Sequence, residues 1–423
     1  VLAKRAGLAF SAVLLALVLL EVGTRTIHRI REGEPFPGDA LRERLAPTED
    51  LDRLIPSEEP VADGTRGLTL SDKVVHPYLG FVQDRSAPAG DGLSVNRFGF
   101  PGIDPLRAPA PDEVRVLITG GSVALQLFRE GGRPLRRHLA AAPAFAGKRV
   151  QLVVLALGGY KQPQQLIALA WLLALGAHFD VVINLDGFNE VVLPKSDNVP
   201  AGIHSSFPRS WDFYQSKGLD LEHVAYATET RRLLEEQRAW RSALGTGLPS
   251  HSAFALSVLR RIDDGIATGI AAADGAFRER RNRAGLGFQS TGPFVPYASD
   301  EALFAELVAL WQASSREMHQ LASAAGARYF HFLQPNQWVP DAKPWSPIEA
   351  DQLRVEGPFT PRTAVPAGYP LLDRAGRELE QQGISFHSLV RLFEKEHRTV
   401  YRDTCCHFNE LGIREIAREI ARV

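Results

Sequence analysis

Cysteine is nearly absent from this sequence, with two in 423 residues. That excludes a disulfide-rich scaffold, and with no second Cys/His cluster the pair does not make a zinc site. The 12 histidines are scattered without a His-x-x-x-His or similar spacing, so no metal and no cofactor is expected. An excess of one charge is lacking too: 48 Lys plus Arg stand against 49 Asp plus Glu, for a net charge of −1. A near-neutral chain has no overall electrostatic footprint for nucleic acid, which is not expected as a partner. Disorder is excluded by composition, since 45% of residues are hydrophobic and 23% charged, an ordinary balance for a globular protein with a sizeable core.

Long apolar runs are scarce, and one stands out. Ala6 to Leu20 carries no charge and follows Lys4 and Arg5; Glu21 is the only charge between Arg5 and Arg25. A helix over 6–24 would be about 28 Å long, close to the hydrocarbon thickness of a bilayer. Residues 1–31 are therefore expected to be an N-terminal membrane anchor and its flank. A cleaved signal peptide shares the basic start and apolar middle, but the run ends Glu21-Val22-Gly23-Thr24-Arg25, without a small-x-small cleavage site. Lys4 and Arg5 on one flank oppose Arg25, Arg29 and Arg31 on the other, so charge alone does not orient the segment.

Residues 32–112 are rich in Pro, Gly and charge, as in Glu34-Pro35-Phe36-Pro37-Gly38, Ser57-Glu58-Glu59-Pro60 and Ala87-Pro88-Ala89-Gly90. They read as a loop-rich extension with a few short strands. From 113 onward five short apolar runs predict strands buried on both faces of a parallel sheet: Val114–Thr119, Leu152–Leu157, Asp180–Leu185, Arg328–Leu333 and Ile384–Leu389. Helical stretches separate them, at Gln162–Gly176, Ala302–Ala325 and Leu371–Gln382, with a last helix at Glu410–Arg422. The alternation predicts a three-layer α/β/α fold over 113–423. Residues 193–300 break the rhythm and read as a large insertion with helices around 221–245 and 252–282. Such an insertion covers the ligand crevice or serves packing and dimerisation; the sequence leaves both open.

Chemistry gathers at the ends of the strands. The first runs into Thr119-Gly120-Gly121-Ser122, the second into Leu157-Gly158-Gly159-Tyr160, the third into Asp186-Gly187-Phe188-Asn189-Glu190. Glycines permit a tight turn and close substrate approach at Ser122, and a helix beginning there supplies free backbone N–H groups. Gly-Gly-Ser is also simply a good turn and N-cap. A phosphate-binding loop is excluded because no Lys-Ser/Thr follows. Before the last helix comes Asp403-Thr404-Cys405-Cys406-His407, in which a carboxylate can orient an imidazole as general base toward a serine. Asp186 and Glu190 read as loop-stabilising carboxylates. Gln334-Pro335-Asn336-Gln337-Trp338 follows the fourth strand and either lines a glycan-sized pocket or serves only its loop. Cys405 and Cys406 read as two small buried residues or as a vicinal disulfide beside His407.

These blocks, in this order, resemble the SGNH (GDSL-like) hydrolase superfamily over about 113–192 and 327–423. Asn96-Arg97-Phe98-Gly99-Phe100 also resembles the Asn-x-x-Gly-aromatic strand that precedes the nucleophile in membrane-anchored bacterial members. Residue by residue, the resemblance implies Ser122 as nucleophile, His407 as base and Asp403 as its orienting carboxylate. The oxyanion hole would comprise the N–H groups of Ser122 and Gly159 and the Asn189 side chain. Three departures stand out: Gly121 replaces the Asp of Gly-Asp-Ser, Glu190 replaces an Asp, and four positions rather than three separate Asp403 from His407. The resemblance further implies a flavodoxin-like five-stranded fold and a membrane-anchored, extracytoplasmic (periplasmic) serine esterase. Its expected substrates are O-acyl esters, such as O-acetyl groups on a cell-envelope or exported glycan. An O-acyltransferase on the same fold, or a non-catalytic scaffold binding a glycan or an export-complex protein, are the alternatives.

Overall fold

A computed structural model describes the chain except for residues 1, 47–72, 86–92, 212–220, 284–290, 294–295 and 355–358. Ser57–Pro60 and Ala87–Gly90 of the expected extension therefore lie outside the described residues. The chain forms two compact units, Val1–Ile55 with Leu219–Arg280, and Pro56–Gly218 with Arg281–Val423.

The second unit holds the sheet. Its strands are β3 (Glu113–Gly120), β4 (Arg149–Ala156), β5 (Val181–Asp186), β6 (Arg328–Leu333) and β7 (Ser385–Ser388), with β1 (Lys73–His76) and β2 (Gly80–Gln83) forming a separate hairpin. The large sheet is parallel throughout, in the order β4-β3-β5-β6-β7. Central strand β5 is buried at every position, which explains its uninterrupted apolar run: helices cover both faces. On one side, Ser122–Arg129 and Gly132–Ala140 pack with Glu410–Arg422; on the other, Asp300–Ala324 packs with Gln164–Ala174 and Thr360–Gln381. The architecture is three-layer α/β/α.

Register decides what meets what. Gly120 lies opposite both Ala156 and Leu185, and Leu333 opposite Asp186. The segments carrying Ser122, Gly159, Asn189 and Gln334–Trp338 thus all leave the sheet at one edge. Hairpin β1–β2 and the Asn96 segment support this edge from outside. Tyr160 donates its hydroxyl hydrogen to the Phe81 carbonyl (2.6 Å), and Asn96 accepts from Phe98 N (2.9 Å) in a tight side-chain turn.

The first unit contains the N-terminal helix Leu2–Glu32, the short helix Gly38–Arg44, and the helices Leu221–Leu244 and Ala253–Arg283. Leu41, Leu45, Leu256 and Leu259 make its small core. Buried Asp263 accepts two bonds from the Arg241 guanidinium (2.7 and 2.9 Å) and one from Gln237 (2.9 Å).

The membrane anchor expected over 1–31 is overturned: among the described residues, no helix is long and apolar enough to cross a membrane. Glu21, expected at a membrane interface, is instead a partly exposed helix cap within the first unit. Its carboxylate accepts from Ala253 N (3.0 Å), Phe254 N (3.2 Å) and the Ser252 hydroxyl (2.8 Å) at the start of Ala253–Arg283, and pairs with Arg25. Burial alone would raise its pKa, but these bonds outweigh it and hold the carboxyl at about 2. With the anchor falls the expected membrane partner, and with it the membrane-anchored, periplasmic placement.

Candidate active site

Ser122 is the first residue of the helix Ser122–Arg129, with Gly121 at the cap position. Its N–H has no intrahelical acceptor by construction, and the N–H groups behind it share that orientation. The Ser122 hydroxyl lies 2.8 Å from His407 Nε2, and His407 Nδ1 lies 2.5 Å from Asp403 Oδ2. The structure therefore brings Ser122, His407 and Asp403 into one hydrogen-bonded line. Because the Nδ1 proton points at a carboxylate, Nε2 is left to accept from the serine.

The four-residue spacing from Asp403 to His407 is accommodated by a turn wrapped around the carboxylate. Asp403 Oδ1 accepts from the backbone N–H groups of Cys405 (2.8 Å), Cys406 (2.9 Å) and His407 (3.2 Å), leaving Oδ2 for the imidazole. The extra residue closes this nest rather than displacing the ring.

Two sets of contacts that sequence reading missed hold this loop. The Gln126 side chain, one helical turn beyond Ser122, donates to the Phe408 carbonyl (2.6 Å) and accepts from Phe408 N (3.1 Å). From the other side Asn336, Gln337 and Trp338 donate to the carbonyls of Cys405, Asp403 and Thr404 at 2.9, 2.7 and 2.7 Å. Asn336, Gln337 and Trp338 are thus donors for the loop bearing His407, in line with a loop role for this segment. A pair of buried amides facing an irregular, cysteine-containing turn is the signal that could have suggested it.

Asn189 sits in the helix Phe188–Leu193 that follows β5. Its side-chain N–H donates to the Tyr160 carbonyl (2.8 Å), tying the third block to the second. The glycine preceding Ser122 follows from this contact. A Cβ on Gly121 would come within 2.2 Å of Asn189 Nδ2 and 3.1 Å of the Tyr160 carbonyl. An aspartate cannot stand there without displacing the amide. Gly159 occupies the tight turn closed by Tyr160 N–H to Leu157 O (3.1 Å) and takes φ +77°, a left-handed conformation suited to glycine.

Asp186 and Glu190 are buried, in line with a supporting role. Asp186 accepts from Trp311 Nε1 and Asn184 Nδ2, both at 2.8 Å, and lies 2.9 Å from His331 Nε2. Glu190 accepts from Gly187 N (2.8 Å) and Gln165 (3.0 Å). Burial, reinforced by the nearby Asp186 charge, pushes the Glu190 carboxyl up to about 8. Burial of Lys161 pulls its ammonium down to about 7 against the attraction of Glu190 and Asp197.

Cys405 and Cys406 are free and buried. With His407 they form, among the described residues, one group whose ligand atoms lie within 4.8 Å of one another. Both ring nitrogens of His407 are already engaged by Asp403 and Ser122, so no metal role is assigned to the group. No protein-family model matches the chain, and no curated protein matches it significantly.

Proposed function

We propose that this protein is a serine esterase of the SGNH type, hydrolysing O-acyl esters through an acyl-serine intermediate. The observation that supports this reading best is the continuous line from Asp403 through His407 to a hydroxyl at a helix N-terminus. In the proposed mechanism Ser122 Oγ attacks the ester carbonyl carbon while His407 Nε2 takes the hydroxyl proton. The resulting oxyanion is held by the N–H groups of Ser122 and Gly159 and by the second N–H of the Asn189 amide, the first being committed to Tyr160. The imidazolium, supported by Asp403, returns the proton to the leaving alcohol as the carbon–oxygen bond breaks. Water, deprotonated by the same histidine, then releases the acid and restores Ser122.

The test is hydrolysis of p-nitrophenyl acetate and longer-chain homologues by wild type and Ser122→Ala. Wild-type turnover that falls at least about 10³-fold in the variant is expected, given what removing a triad nucleophile costs. Equal rates for the two proteins would refute the enzyme reading.

A further inference from the structure

We infer that Arg209 is a positioning residue for the turn carrying Gly159, an inference that rests on the esterase reading above. The starting point is a glycine at φ +77° in that turn. Glycine tolerates several backbone orientations at little cost, so the direction of the N–H it offers is fixed only if something packs on it. Here a side chain does so: the position of a Cβ on Gly159 lies 3.2 Å from Arg209 Cδ and 3.9 Å from one of its terminal nitrogens. The arginine stem fills the place that a side chain of residue 159 would take.

Arg209 is itself held. Its Nε lies 3.4 Å from Asp197 Oδ2, with the two side chains only 11% and 3% exposed. An exposed pair would hold little; this one is largely shielded from solvent and from salt screening. The same aspartate accepts from Ser210 N (3.2 Å), where the backbone turns left-handed at φ 55°. The strap 205–210 is gripped at its other end by the turn it covers. Lys161, two residues beyond Gly159, donates through Nζ to the carbonyls of Ser205 and Phe207, and Asn198 donates to those of Phe207 and Pro208. Strap and turn thus form one closed circuit, with Gly159 under its centre. The start of the 193–300 insertion thereby supplies part of the support for the oxyanion side of the site.

The experiment compares Arg209→Ala, Arg209→Met and Arg209→Lys with wild type on p-nitrophenyl acetate. If the tethered stem aims the Gly159 N–H, the alanine and methionine variants lose kcat on the order of 10-fold while KM stays within about twofold. The lysine variant, which keeps stem and charge, recovers to within about threefold of wild type. The acid limb of the pH–kcat/KM profile stays where it is in all of them, because the base is untouched. Wild-type kcat in Arg209→Met overturns the inference even if Arg209→Ala does not fold. A rise in KM at constant kcat also overturns it, by making Arg209 a substrate-binding group. No Ser122-dependent turnover in wild type would remove the esterase reading and this inference together, whereas an active wild type with an indifferent Arg209 removes only the second.

Discussion

Two constellations of serine, histidine and aspartate occupy the same unit, and they differ in everything except residue type and distance. At the sheet edge, Ser122, His407 and Asp403 are joined at 2.8 and 2.5 Å. Inside the protein, Ser315, His331 and Asp186 are joined at 2.8 and 2.9 Å. Ser315 lies within the long helix Asp300–Ala324, fully buried, where backbone N–H groups are spent on the helix. Trp311, Asn184 and Gln162 also donate to Asp186, and the Tyr329 hydroxyl lies 3.2 Å from Ser315. Every residue of that network is buried. Ser122 is only half-buried and opens a helix, with Asn189 and the Gly159 turn beside it. The proposed chemistry of the outer relay therefore rests on access and unspent N–H donors, and not on the three side chains alone.

The comparison can be broken most severely at Asn189, the oxyanion donor of the proposed mechanism. Asn189→Ala should lower kcat about 10²–10³-fold, the usual cost of one such donor, with the urea midpoint of unfolding showing that the fold persists. Undiminished turnover would strip the outer constellation of what distinguishes it. Ser315→Ala should do the reverse. It leaves a buried imidazole nitrogen without its partner and costs about 1–3 kcal/mol of stability, read from urea unfolding, while kcat stays at the wild-type value. A collapse of turnover without loss of stability would move the chemistry into the core.

A third test concerns pH. Glu190 has its carboxyl raised from 4.5 to about 8 in the folded protein, so the native state holds a proton that the unfolded chain releases. Its contribution to stability is complete below about pH 4.5 and is lost as pH rises through about 8. Glu190→Gln should flatten the decline of stability between pH 5 and 8, followed by urea titration at each pH. An identical slope in both proteins would show that the carboxyl titrates normally.

Much of the α/β unit is legible in the sequence because its signals are local. The expected runs Leu152–Leu157 and Arg328–Leu333 fall on β4 and β6, and the last helix is found at Glu410–Arg422. The helix expected from Leu371 begins eleven residues earlier, at Thr360. Pro366 and Pro370, which argue against a helix interior, concealed that start. The insertion helices expected around 221–245 and 252–282 are observed at Leu221–Leu244 and Ala253–Arg283. The N-terminal segment misled because its apolar run was weighed without Glu21's partners, which lie more than 230 residues away. The residues of the site could be picked out because strand ends are local features. Gln126 could not, because an amide reveals its role only through a distant carbonyl, here that of Phe408, and Asn336 and Gln337 were legible as loop residues but not in what they hold.

The clasp between Gln126 and Phe408 joins positions 282 apart in sequence. During synthesis the serine emerges long before its imidazole exists, so through most of the chain's production it is an ordinary alcohol beside a folding sheet. The proposed chemistry therefore waits on a single late event, the docking of the loop that Gln126, Asn336, Gln337 and Trp338 hold.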